Sequence, residues 1–489
     1  MMLTPYSQET AGQPTGLTEN PARELANSYN LRVMFFLLAH MPLAYVMEAV
    51  PLIATAHALL VLLLGLRWAL LGRTRQVMFT LCYVAGAEVL WRMTEARLFW
   101  EYGKYAIGLI AFAALIAELR RMDPPRRLRG VSPVLLLVAI VPAMVLAVLD
   151  LGLAGAVDPI SFNLSAYVAL AFSALFFWAR PVDRRTAAGM LVAIMAPVAG
   201  ILFLATYNTI TQFDFYSFKN AASSLRSGGF GANQVSNTLS LGALAGFILI
   251  ILLPRARGAR AFIALLMVAM LVQAMLTFSR GGVYTFILSA LVFGLHLLRT
   301  PVARGRFLLL SVAFIVIIAA FIFPSLDQFT GGSLTVRYQE TSTTGRLEIA
   351  QADMLAFRDS PIIGVGVGES VFYHEYYMGD ALAPHTEFTR LLAEHGVFGI
   401  FILALMGWML LKRYLDNEPG PGRAMSAAMA VWTLTVMIHS ATRIAAVPLV
   451  FALALVAWQI AGERKPAGIG EHEATALDFP AGKPRIGLR

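Results

Sequence analysis

A chain of 489 residues that is 58% hydrophobic and 14% charged, with a mean hydropathy of +0.69, is too apolar for a soluble globular domain, in which about a quarter of residues are charged. Its net charge of +9 comes from small basic clusters between apolar runs, which excludes one long basic patch of the kind that binds nucleic acid. The single cysteine, Cys82, lies inside an apolar run and excludes both a disulfide framework and a cysteine-based metal site.

Residues 1–30 are polar and carry Pro14 and Pro21 among Ser, Thr and Gly. They lack the basic-then-apolar pattern of a signal peptide and read as a disordered tail. From Leu31 to Ile460, apolar runs of roughly 17 to 25 residues recur, each about long enough to cross the hydrocarbon core as a helix. Spans are predicted near 31–47, 51–71, 76–93, 104–119, 131–149, 163–179, 187–208, 236–253, 261–278, 283–298, 307–324, 397–411, 424–440 and 444–461. The first two need not both cross. The expected fold is an all-α polytopic membrane protein of about 12–14 transmembrane helices. It divides into N-terminal spans over 31–208, a second region over 209–440 that includes a long outer segment at 325–396, a last helix within 441–461 and a C-terminal tail from 462.

Basic clusters follow every second span: Arg73 and Arg75, "RRMDPPRRLR" at 120–129, "RPVDRR" at 180–185, "RARGAR" at 255–260, "RTPVARGR" at 299–306 and "KRYLDNEPGPGR" at 412–423. These loops hold 19 of the 38 Lys and Arg, so the positive-inside rule puts them, and both tails, in the cytoplasm. The opposite face then carries basic residues that topology did not place there. They lie in 92–104 ("RMTEARLFWEYGK"), in 209–235 with Lys219 and Arg226, in "SRGG" at 279–282, and in 325–396. The last of these is too long for a mere connector.

Within these segments, Pro384 introduces a helix that begins near His385, continues through Phe388 and Leu392 and ends at Gly396. A histidine at a helix's positive end, half-buried at the membrane surface, stays neutral and able to accept a proton; it could equally cap or bond a loop. Arg280 closes an apolar span before two glycines, which suits either close approach to a ligand or a C-terminal cap. Arg226 sits in the glycine-rich "SSLRSGGFGANQVSN", a phosphate-cradle pattern or a flexible connector. Arg346 opens the amphipathic "GRLEIAQADMLAFRDS", where a cation does not help the helix; it could serve a ligand or reach lipid headgroups. Glu387, Arg390 and Glu394 fall on one helix face and read as paired side chains, with Glu394 also a candidate to support the site. His374, Glu375, His385, Glu387, Glu394 and His395 fall close together, but no spacing matches HExxH or another strong metal motif, so no metal is expected. Arginines are then the groups available to neutralise a diphosphate.

"SRGG" at 279–282, "GRLEIAQADMLAFRDSPIIGVGVG" at 345–368 and "HTEFTRLLAEHGVFG" at 385–399 resemble, in order and spacing, the hallmark segments of the O-antigen ligase and polymerase family. The resemblance covers roughly residues 220–440, and its most specific part is H-x8-E-x-G-x-x-G entering a helix. Thr386 departs from it, since members often have Asn or Ser there. The resemblance implies glycosyl transfer on the periplasmic side of a bacterial inner membrane, without a cofactor. The donor would be a glycan on undecaprenyl diphosphate. The acceptor would be a lipid A core sugar for a ligase, or a growing lipid-linked glycan for a polymerase. A flippase and a chain-length regulator are the partners such a system implies. Carried over by position, the family histidine falls on His385 and the family arginines on Arg280, Arg346 and Arg226, with Ser279, Thr386 and Glu394 supporting them. In that reading His385 takes the acceptor proton, the arginines stabilise the departing diphosphate, and direct displacement inverts the anomeric carbon. Two other classes remain open: a transporter, although no internal repeat is evident, and a non-catalytic scaffold of a polysaccharide export system.

Overall fold

The computed structural model describes residues 21–121, 132–211, 222, 224, 227–253, 257–298, 304–305, 312, 316–340 and 345–460. Helix dominates because a peptide group in hydrocarbon finds no water, so each N–H and C=O must be satisfied along its own segment. In chain order come α1 (Pro21–Ala49), α2 (Pro51–Leu70), α3 (Thr74–Met93), α4 (Tyr102–Arg120), α5 (Ser132–Ala139), α6 (Val141–Phe177), β1 (Pro181–Asp183), α7 (Arg184–Thr211), α8 (Ala232–Leu252), α9 (Arg257–Leu276) and α10 (Arg280–Leu297). After a π turn at Ile318–Ile322 follow α11 (Phe323–Phe329), α12 (Ser333–Gln339), α13 (Arg346–Asp359), α14 (Ser370–Met378), α15 (Glu387–His395), α16 (Val397–Asp416), α17 (Pro421–His439), α18 (Ala446–Ala454) and β2 (Ala457–Gln459). Among the described residues, nine helical stretches are long and apolar enough to cross a membrane. The protein is an all-α, multi-pass membrane protein.

Three details differ from the run-by-run expectation. The runs expected at 131–149 and 163–179 are joined into one apolar stretch, Pro133–Phe177. Its break is Gly152, at φ 72° and ψ 165°, a left-handed backbone that a side chain would oppose. The final run is a nine-residue helix, α18, buried throughout, and β2 after it pairs in parallel with β1. The first helix starts at Pro21, inside the stretch expected as a tail. Residues 307–311 and 313–315 of the run at 307–324, and the basic loops at 122–129 and 299–303, lie outside the described residues.

Helix α7 is the hub. It is buried along most of its length and packs on α1, α3 and α8. Lipid supplies no hydrophobic drive between helices, so small residues must bring them close. A Cβ at Gly86 of α3 would collide with the Ile194 carbonyl and Pro197, and one at Gly242 of α8 with Val198. The N-terminal helices are also cross-linked by polar groups: Trp91 Nε1–H donates to His57 Nδ1 (2.9 Å), His57 Nε2 meets the Tyr83 hydroxyl (3.0 Å), Tyr83 meets His40 Nε2 (2.9 Å), and His40 Nδ1 meets the Phe36 carbonyl (2.7 Å). With both rings neutral, one direction of donation from Trp91 to Phe36 satisfies every group.

Candidate active site

One end of the bundle gathers the loops 94–101, 277–279 and 440–445 together with α11–α15. There α10 begins at Arg280, so the residue expected to cap the C-terminus of a span instead opens a helix. A cation at that end is disfavoured by the helix dipole, so stabilisation comes from elsewhere. The Arg280 guanidinium donates to the Glu340 carbonyl. The sharp turn before it falls at Phe278, at φ 60°, and not at the glycines. Gly281 and Gly282 lie inside α10, where their missing side chains let it close on its neighbours: a Cβ would overlap the His439 ring of α17 at one position and Ser236 of α8 at the other. The two glycines of "SRGG" therefore serve helix packing. Ser279 bonds Asn233 Oδ1 at 2.7 Å, and its carbonyl accepts from Ser236 at 3.1 Å.

Two further arginines join Arg280. Arg337, on α12, is buried; its Nε donates to the Phe278 carbonyl (3.0 Å) and its Nη1 pairs with Glu340 (2.5 Å). Arg346 is the first residue of α13, after Gly345 in a left-handed conformation (φ 77°). Burial, with Arg280 and Arg337 nearby, pulls the Arg346 guanidinium below its ordinary value. Like charges held this close are costly unless an anion joins them.

His385 stands two residues ahead of α15, with Thr386 as the N-cap residue. The ring is pushed down to about 4, first by burial and then by Arg443, Arg346, His439 and His374. It is neutral, as expected, but the cause is burial and facing cations more than a helix dipole. Its Nδ1 is buried without a hydrogen-bond partner. Arg443 holds the backbone beside it, donating through Nη2 to the Pro384 carbonyl (2.7 Å) and at 3.4 Å to that of Ala383. His374 holds the other side: Nδ1 meets the Leu382 carbonyl (2.5 Å) and Nε2 meets Asp353 Oδ1 (2.8 Å). Burial works against charge on His374, but the Asp353 hydrogen bond and that carbonyl outweigh it and raise the ring above its ordinary value. His439 donates from Nδ1 to the Thr435 carbonyl (2.7 Å), so its Nε2 is an acceptor. The Asn237 amide 3.0 Å away satisfies it best with the nitrogen turned toward the ring, which also gives the otherwise unpartnered Asn237 nitrogen its bond.

Helix α15 turns its charged face inward. Glu387, Arg390 and Glu394 are 1%, 5% and 1% exposed. Glu387 accepts from Tyr167 (2.6 Å), from Arg390, and from Thr442 through its amide (3.3 Å) and hydroxyl (3.2 Å). Arg390 outweighs burial and keeps the Glu387 carboxyl below its ordinary value. Glu394 accepts from Ser370 (3.0 Å) and Arg390 (3.3 Å), yet its burial wins and raises it. The charges expected as a paired face are thus an ionic core that sets α15 against α6 and the loop after α17. The glycine-rich stretch 361–368 straps this helix down. Val365 and Gly366 donate to the carbonyls of Ala393 (2.9 Å) and Glu394 (3.2 Å), and Gly364, at φ 80°, lies so close that a Cβ would strike the Glu394 carbonyl.

Arg346 thus lies near His385 on one side and near Arg280 on the other. Ser279 and Thr386 adjoin Arg280 and His385 in the chain, whereas Glu394 belongs to the ionic core farther along α15. Arg226 lies outside the described residues. Arg337, Arg443 and His439 were not singled out from the sequence. The available signal was "HSATR" at 439–443, an unmatched His and Arg leaving an apolar span on the side away from the basic loops.

No curated protein matches the chain. Residues 265–404 match the family described as O-antigen ligase. That segment contains all three stretches on which the resemblance rested, so this part of the chain is similar to the O-antigen ligase family.

Proposed function

We propose that this protein is a membrane glycosyltransferase of surface-polysaccharide assembly, moving a glycan from undecaprenyl diphosphate to a sugar hydroxyl on the periplasmic side of the bacterial inner membrane, as a ligase or a polymerase. The observation that carries the reading is a neutral His385 with an unpartnered Nδ1 that faces Arg443 and Arg346, with Arg280 beside Arg346. A neutral imidazole accepts the proton that the acceptor hydroxyl loses as its oxygen attacks the anomeric carbon. The bond from that carbon to the diphosphate oxygen breaks, and the negative charge gathering on the diphosphate meets guanidinium groups. Diphosphate leaves ionised, so no acid and no metal need take part. Attack from the face opposite the leaving group inverts the anomeric configuration. Arg226 remains a further candidate for the diphosphate, and Glu394, Ser279 and Thr386 act by holding the site.

The test uses the purified full-length chain in lipid nanodiscs with lipid-linked glycan isolated from the producing cells. His385→Ala should lower the transfer rate by roughly 10²–10⁴-fold, the ordinary share of a general base, with folding unchanged. Undiminished transfer by the folded variant rejects the role. In cells lacking the gene, polymer accumulating on its lipid carrier indicates a ligase, and single repeats accumulating there indicate a polymerase.

A further inference from the structure

Beside the arginine cluster lies a cavity of about 670 Å³ that shares Arg443 and the Ala383–Pro384 backbone with it, but is walled by neither Arg280, Arg337 nor Arg346. Its volume falls in the range of roughly 300–1,000 Å³ of small-molecule sites. The walls come from the start of α4, the middle of α6, α15 and the loop after α17. Most of them lie outside the matched segment 265–404.

The charges in this cavity are of mixed sign. Carboxylates are supplied by Glu101, Asp158, Glu387 and Glu394, and cations by Lys104, Arg390 and Arg443. Arg390 is already bound to Glu387 and Glu394, and Lys104 Nζ to Glu101 Oε2 at 2.5 Å. Among the buried side-chain atoms of this lining one is without a hydrogen-bond partner: Oε1 of Glu101, a residue 4% exposed. A buried carboxylate oxygen without a donor is costly until something supplies one. At the mouth, Phe99 and Trp100 are 59% and 53% exposed. Trp100 is fixed from behind, with the Arg92 guanidinium 4.6 Å from its ring and bonded to its carbonyl at 2.9 Å.

A diphosphate would meet the carboxylates and be repelled, and an apolar chain would leave Glu101 Oε1 without a donor. A sugar ring fits both features, since its hydroxyls donate to a carboxylate and its C–H face lies on an aromatic plane. We propose that this cavity is the acceptor subsite and takes an uncharged saccharide, with Glu101 Oε1 accepting from a ring hydroxyl and Phe99 and Trp100 stacking on the ring. This inference rests on the transferase reading for the word acceptor, and on the cavity alone for the binding. The layout separates the substrates by charge: diphosphate on the guanidinium side, neutral sugar on the carboxylate side, with Arg443 and the His385 loop between them.

The probe is the neutral oligosaccharide released by mild acid from the envelope glycolipids of the producing cells, titrated calorimetrically into the full-length protein in nanodiscs. Wild type should bind it saturably, and Trp100→Ala and Glu101→Gln should each weaken binding about tenfold or more. Phe99→Ala, a change at an exposed position, keeps the test sound if loss of the Glu101 charge beside Lys104 disturbs folding. In transfer assays the same variants should raise KM for the oligosaccharide and leave KM for the lipid-linked donor unchanged. Absence of wild-type binding, or full affinity in both aromatic variants, overturns the subsite, as does tighter binding of the anionic oligosaccharide fraction. Binding without any transfer from the donor sinks the transferase reading and leaves the subsite standing. Transfer with acceptor KM unchanged in both aromatic variants does the reverse, and assigns Phe99 and Trp100 to the membrane interface.

Discussion

The protonation state of His385 has a measurable signature. Burial and three or more neighbouring cationic or basic groups put its folded-state value at about 4, against 6.5 in the unfolded chain. Its base form is therefore complete at neutral pH, and the transfer rate should show no acid limb until the pH approaches about 4. Between those values the unfolded chain binds a proton that the folded chain refuses. The neutral ring's contribution to stability is accordingly present above 6.5 and declines as the pH falls. An acid limb of kcat near 6.5 would show an unshifted histidine and remove the basis for treating this ring as desolvated. Arg346→Lys is expected to lose much of the activity, about 10²-fold, because a point charge cannot reproduce the forked donors. Such candidates were legible because a lone cation or imidazole on the wrong side of the topology needs a reason. Gly281 was legible as a glycine but not for its purpose. Its partner, the His439 ring, arrives from a helix about 150 residues later, and no local pattern announces that contact. Gly281→Ala should overpack that contact, costing about 1–3 kcal/mol in stability, read as a lowered Tm in detergent or nanodiscs, while Gly258→Ala, in open space, should leave it unchanged.

At the scale of elements, α13, α14 and α15 act as a frame for the 380–386 loop, and the joint that ties them is His374. Both of its nitrogens face acceptors, the Leu382 carbonyl and Asp353, while Asp353 Oδ2 accepts from Thr389 on α15 at 2.6 Å. A neutral imidazole donates from one nitrogen only, so the charged ring is the form that satisfies both. Its folded-state value is raised, so the stability it contributes is full below 6.5 and is lost as the pH rises through the folded value. Transfer and thermal stability should both decline on that alkaline side, and His374→Gln should lower kcat and flatten the decline. An alkaline limb identical in wild type and His374→Gln rules this joint out as its source. The amphipathic spacing of α13 and the break at Gly396 could be read from the sequence, because helix period and punctuation are local. The inward turn of α15 could not. Spacing puts Glu387, Arg390 and Glu394 on one face, but the groups that make that face the buried one, Tyr167 and Asn163 on α6 and Thr442 after α17, lie far away in sequence.

For the whole molecule, the decisive question is which side of the membrane the site faces, and its chemistry constrains the answer. On the proposed reading a lipid-linked diphosphate glycan meets its acceptor where both are exposed, which requires the arginine cluster and His385 to lie on the face opposite the basic loops. The apolar runs make the number of crossings partly legible, but a kinked stretch such as Pro133–Phe177 and a short buried helix such as α18 blur the count on which parity depends. Direct labelling avoids the count. The single native cysteine, Cys82, is fully buried and gives little background with a thiol reagent. Tyr376, on α14 beside the site, is 81% exposed, and Arg257, at the start of α9, is exposed among the basic residues. In intact spheroplasts a membrane-impermeant maleimide should label Tyr376→Cys at once and Arg257→Cys only after permeabilisation. The two positions sit at opposite ends of the bundle, since α9 runs from Arg257 to the turn that carries Arg280. Labelling of both without permeabilisation would mean leaky cells. Labelling of Arg257→Cys alone would place the guanidinium cluster in the cytoplasm, where a translocated glycan is absent, and the transferase assignment would fall with it.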